Sequence, residues 1–176
     1  MGEPFPKLSR PETTRLLSRS VERHINPNRD PRVYMAREVT FDYYSAHPIR
    51  VDYMRFKPIN NSVSGIEHGD FYCYEVKSSV EDFNSKNGHN MIGDYNYYVM
   101  PLEVYEAVKD KIPWSIGVLV PDYACSVGDY WYLKSVHNAK RATRERPITT
   151  MLFMMWRSYM RDVRKEDELE VEHQDL

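Results

Sequence analysis

Cysteine is scarce in this chain. Its two copies, Cys73 and Cys125, belong to no C-x-x-C pair and to no Cys/His ligand spacing, which argues against a structural zinc and fits a reducing compartment. No apolar run approaches the length that crosses a bilayer. The opening stretch, MGEPFPKLSRPE, lacks the apolar core of a secretory signal, and Pro6 departs from the N-myristoylation pattern. These absences point to a cytoplasmic chain without a membrane partner. No internal repeat and no linker divides it. The expectation is one domain over residues 1–165 and an acidic, disordered tail over 166–176.

What is present excludes disorder. Hydrophobic residues make up 41% and aromatics 13% of the chain, too much for a segment that stays unfolded. Fourteen tyrosines serve strand faces and nucleic-acid surfaces alike, so their number selects no function. The net charge of −2 hides an uneven layout: residues 166–176 hold six acids and no Lys or Arg, leaving 24 bases against 20 acids elsewhere. A mildly basic body fits phosphate binding, while a solvated terminus is the plainer account of the tail.

Ser9-x-x-Glu12 reads as a capping box, and Leu17, Val21 and Ile25 follow at helical spacing until Asn26-Pro27-Asn28 stops them. Strands are expected over Val33–Tyr44, Ile49–Phe56, Phe71–Lys77, Asp94–Met100 and Ser115–Val120, with Tyr130–Val136 at an edge. Asn60–Gly65 has loop composition. Helices are expected over Val80–Lys86, capped by Ser79 and ended by Asn87-Gly88, over Pro101–Ile112, and over Thr149–Arg164. The last would turn Met151, Met154, Met155 and Tyr159 toward a core. This order is one α/β domain whose first three strands form a meander.

The chemistry concentrates in two strands. Glu75 and Lys77 are two apart in DFYCYEVKSS and so share a face, and Asp52 lies in IRVDYMRF on the face of Arg50 and Met54. The 22 residues between Asp52 and Glu75 allow antiparallel pairing through a generous loop. Two carboxylates and an ammonium around one point can hold Mg²⁺ or Mn²⁺ and a water. The cation would polarise a phosphoryl oxygen, and Lys77 would orient the nucleophile or offset charge on the phosphorane. E-x-K alone is weak, because a solvent-facing ion pair on a strand reads the same way.

Context adds to it. The stretch RVDYM … YCYEVKSSVEDFNSK … GDYNYYVMP, roughly residues 38–121, resembles the PD-(D/E)xK, restriction-endonuclease-like nuclease superfamily, in its small DNA-repair and phage-type branch. The resemblance implies a restriction-endonuclease-like core, an α-β-β-β-α-β mixed sheet flanked by helices, here with a C-terminal helical extension. It also implies cleavage of DNA by Asp52, Glu75 and Lys77, with Asp52 and Glu75 as metal ligands. Arg50, Ser79 and Lys86 match substrate-side positions, and Asp82 and Phe83 match the following segment. Val51 stands where many members carry proline. A further acid is commonly supplied by the first helix or strand. Glu22 and Glu38 both qualify, and Glu38 is preferred because it precedes the Asp52 strand.

Each supporting residue also has a structural account. Arg50 pairs with a neighbouring carboxylate or meets a phosphate. Ser78 and Ser79 cap a helix, Asp82 is a helix-terminus charge, Cys73 is filler, His89 is a lone loop histidine and Trp114 packs in the core. The basic run Lys134, Lys140, Arg141, Arg144 and Arg146 follows a phosphate backbone or forms a solvated helix face. The competing functions are a catalytically silent DNA-binding protein and a phage assembly accessory on the same fold.

Overall fold

The computed structural model describes the backbone of residues 8–127 and 129–174, and the side chains of all of these except 126, 127 and 166–174. Ser9 starts the first helix as its spacing predicts. Its N–H donates to Glu12 Oε2 at 2.9 Å while its hydroxyl accepts from the Glu12 N–H, so two orphan donors are satisfied together. Helix α1 (Arg10–Ile25) then buries Leu17, Val21 and Ile25 along one stripe.

Six strands form one sheet in the order β1 (Tyr34–Phe41), β2 (Ile49–Lys57), β3 (Asp70–Val76), β4 (Tyr95–Val99), β5 (Gly117–Val127) and β6 (Tyr130–His137). The first three are antiparallel neighbours, β3–β4 and β4–β5 are parallel, and β6 returns antiparallel. Between β2 and β3 a short helix α2 (Val63–Glu67), capped by Ser62, occupies part of the expected Asn60–Gly65 loop. The parallel crossovers carry α3 (Val80–Asn84) and α4 (Leu102–Val108), the latter followed by a 3-10 turn over Lys109–Lys111.

Side chains alternate across a strand, so the sheet has two differently covered faces. Leu17, Val21 and Ile25 of α1 cover Tyr53, Tyr74, Val99, Leu119 and Trp131 on one. The other meets α4 through Val104 and Val108 against Tyr98, Val118 and Val120. On that same face, Met151 and Met155 of α5 (Ile148–Gln174) pack on Phe41, Val51, Met54 and Phe71.

Three expectations change. Trp114 is 75% exposed and Tyr159 54% exposed, so neither is core. Helix α5 continues through residues 166–174, whose acid-rich composition suggested a loose tail, while Asp175 and Leu176 lie outside the described residues.

The third concerns the basic run, which is not a helix face: Lys134, Lys140 and Arg141 are exposed, while Arg144 and Arg146 are largely covered. Residues 138–147 form an extended strap between β6 and α5. Arg141 pairs with Asp70 at 2.8 Å, Arg144 with the buried Asp94 at 2.5 Å, and Arg146 with Asp42 at 2.6 Å. Lys134 faces Asp122 at 3.7 Å. These guanidiniums hold the strap to the sheet, which accounts for them without a phosphate.

Candidate active site

Strands β2 and β3 are paired from Lys57–Asp70 to Tyr53–Tyr74. Continuing that register sets Asp52 opposite Glu75, and there the ladder ends. The Val76 N–H donates to Asp52 Oδ2 at 2.9 Å, so a side chain takes the place of the next backbone rung. The two strands part at the acids.

On β1 the residue in register with Asp52 is Glu38, which has a left-handed φ of 46°. Such a backbone is uncommon for a non-glycine residue and marks a local departure from regular pleat. The alternation of faces slips here. Ala36 and Met54 before the slip, and Val39 and Val51 across it, all reach the same core. Val51 therefore does not point away from Met54, as strict alternation required. Arg161 of α5 holds the irregular stretch by donating to the Arg37 and Glu38 carbonyls at 3.0 and 3.2 Å.

Glu75 is fully buried, and neither carboxylate oxygen accepts a hydrogen bond of normal geometry. Burial pushes its carboxyl up to about 9, with repulsion from Asp52 adding, while Lys77, the Asn90 amide and Arg50 oppose. Asp52 is raised as well, first by burial, with the Val76 N–H, Arg50 and Lys77 opposing and Glu38 adding to the rise. Lys77 is 2% exposed, and burial lowers its ammonium against the pull of Asp82, Glu75 and Asp52.

Lys77 Nζ donates to the Asn87 carbonyl at 2.6 Å and lies 3.4 Å from the Asp82 carbonyl. Gly88 crosses directly above with φ of 67°. A Cβ there would sit 2.8 Å from Lys77 Nζ and 3.0 Å from Glu75 Oε2. Only glycine allows that approach.

The chain thus brings Asp52, Glu75 and Lys77 together. Glu38 joins them at the edge, exposed, its charge felt by Asp52. Glu22 does not. It accepts from Tyr53 Oη at 3.2 Å and Arg37 at 3.4 Å, on the α1 side of the sheet. Arg50 is exposed and favours the ionised forms of both acids. Ser79 caps α3, accepting from the Asp82 N–H at 3.1 Å, and the Ser78 N–H donates to the Asp82 carboxylate at 3.0 Å. Those amides are engaged and offer no phosphate cradle. Asp82 itself pairs with Arg10 at 3.4 Å. Lys86 is exposed.

Cys73 is buried and its thiol is pushed up by burial, as filler should be. His89 has a duty that its sequence position concealed: Nδ1 lies 2.5 Å from Tyr98 Oη and Nε2 3.0 Å from the Ser85 carbonyl. Size does not locate the chemistry, since a groove of about 1150 Å³ lined by Arg19, Arg23, Met155, Trp156 and Tyr159 contains none of the three central residues.

The donor set suits a hard cation. Two carboxylates whose charged forms are disfavoured by burial and by each other gain most from a bound Mg²⁺ or Mn²⁺. Among the described residues no group of three or more His, Cys, Asp and Glu side chains is placed to hold a metal. A cation here would take the pair and complete its shell with water and substrate oxygens.

No family model matches this chain, and no curated protein does. Among solved structures, a protein of unknown function from Silicibacter pomeroyi is similar in fold, at 18% identity and a TM-score of 0.59 over 94% of each chain. That likeness concerns architecture: a mixed six-stranded sheet with flanking helices and a C-terminal helix. Among the described residues no helix is long and apolar enough to cross a membrane.

Proposed function

We propose that this chain is a Mg²⁺- or Mn²⁺-dependent DNA phosphodiester hydrolase with a restriction-endonuclease-like core. The observation that carries the reading is the half-buried Asp52 and the buried Glu75 beside Lys77, at the point where two antiparallel strands separate. The α-β-β-β-α-β order around it supports the same reading. A cation bound by both acids supplies Lewis-acid activation of the phosphoryl oxygen and of a water.

The protein's own groups do the rest. Lys77 orients the attacking water and offsets charge on the phosphorane, Glu38 assists at the edge, and Arg50 and Lys86 meet the DNA backbone. Water adds to phosphorus, one P–O ester bond breaks, and the leaving oxygen takes a proton.

One observation favours a silent DNA-binding module instead. Lys77 donates to a backbone carbonyl and Glu75 is shut away from solvent. Cleavage assays on linear, nicked and branched DNA separate the two. The hydrolase cuts with Mn²⁺ or Mg²⁺, stops in chelator, and loses cutting in Lys77→Met. Methionine is preferred to alanine because it keeps the buried stem volume. A salt-dependent mobility shift with no cleavage under either cation would establish the binding module.

A further inference from the structure

Residues 85–90, between α3 and β4, cover the acid–lysine pair and are tied down by a few contacts. His89 bridges the Tyr98 hydroxyl of β4 (2.5 Å) and the Ser85 carbonyl (3.0 Å). Asn90 Nδ2 donates to the Arg50 carbonyl of β2 at 2.7 Å. Asn87 supplies the carbonyl that holds Lys77 Nζ at 2.6 Å. Gly88 lies between these ties with its left-handed backbone against Glu75 and Lys77.

We propose that residues 85–90 form a latch. The resting protein holds the site shut, and the segment must lift off β2 and β4, hinging at Gly88, before a divalent cation reaches Glu75. Three features point this way. Glu75 is 0% exposed, so no ligand reaches it while the segment lies down. The closed state leaves both its oxygens without a hydrogen bond of normal geometry, which a buried carboxyl does not keep without cost.

The segment itself is held weakly. Lys86, Asn87 and His89 are exposed, and the ties are few: one hydrogen bond from Asn90 to β2, and from His89 one to Tyr98 with edge-on ring contacts to Phe83 and Tyr98, contacts that open locally at low cost. Lifting also frees the Lys77 ammonium from the Asn87 carbonyl, so opening and arming the site are one movement. The identity of the ligand rests on the hydrolase reading, but the movement does not.

The test combines His89→Ala and Asn90→Ala, each removing one tie outside the acid–lysine group. Acylation of Lys77 by an amine-reactive anhydride, read by mass spectrometry, should speed up about fivefold per lost tie, with Lys109 labelling unchanged. Mn²⁺ affinity, read from water proton relaxation without DNA, should rise by a similar factor. Should a variant fail to fold, hydrogen exchange on the wild type decides. Amides of residues 87–90 should then exchange far faster than those of β3. Unchanged Lys77 labelling, or exchange as slow as β3, overturns the latch whatever Mn²⁺ does. Faster labelling without any Mn²⁺ binding keeps the latch and removes the hydrolase reading.

Discussion

Replacing Glu75 with glutamine is expected to give a protein that is more stable than wild type in chelator and cuts no DNA. The folded carboxyl is raised from 4.5 to about 9, so the native state keeps a proton that the unfolded chain sheds. The stability that this group contributes is therefore fully present below pH 4.5 and is lost as pH rises toward 9.

Glutamine imitates the protonated form and does not titrate. The two proteins should be about equally stable at pH 4, and the variant should lead by about 1–3 kcal/mol at pH 8. Mn²⁺ should reverse the order by stabilising the ionised wild-type pair, while the variant's melting temperature stays put. Thermal melts at both pH values, with and without Mn²⁺, check this. A variant less stable than wild type in chelator at pH 8 would mean that the carboxylate is a structural anchor and not a ligand waiting for a cation.

Much of this site was legible because its signals are local. Glu75 and Lys77 sit at the end of a short aromatic strand, and Asp52 sits on the preceding one. Their register follows from the hairpin. The Ser9–Glu12 box and the Ser79 cap depend on residues three apart and read directly. Features that depend on distant partners did not.

Nothing in the run RATRERP (Arg141–Pro147) tells that Arg144 meets Asp94, 50 residues earlier, or that Arg146 meets Asp42, 104 residues earlier. Composition therefore reads three structural guanidiniums as free cations. The slip of faces at Glu38 and Asp52 escapes for another reason. It needs a left-handed glutamate, which no propensity favours and which the Arg161 contacts hold in place. Asn87-Gly88 reads as a helix stop, yet the helix ends at Asn84 and the glycine serves a close approach to Lys77.

The strap predicts its own large effect. Asp94 is 2% exposed and accepts from the Phe71 N–H at 2.9 Å and from Arg144 at 2.5 Å, with Arg141 at 3.7 Å. Asp94→Ala strands the half-buried Arg144 guanidinium and a backbone donor of β3 together. Breaking one side of a buried pair costs about 3–5 kcal/mol, which lowers the melting temperature by roughly 10 °C in a chain of this size. Asp94→Asn keeps an acceptor for Phe71 and should lose less.

Arg141→Ala removes a side chain that is 61% exposed and should lose about 0–1 kcal/mol. Thermal melts of the three variants order them. If Arg141→Ala falls as far as Asp94→Ala, the strap is held by its surface pairs, and the buried one has no special weight. The expected order would instead make Asp94 the anchor from which β4 departs. That strand carries Tyr98, against which His89 closes the segment above Glu75, so the strap and the latch share one rigid support.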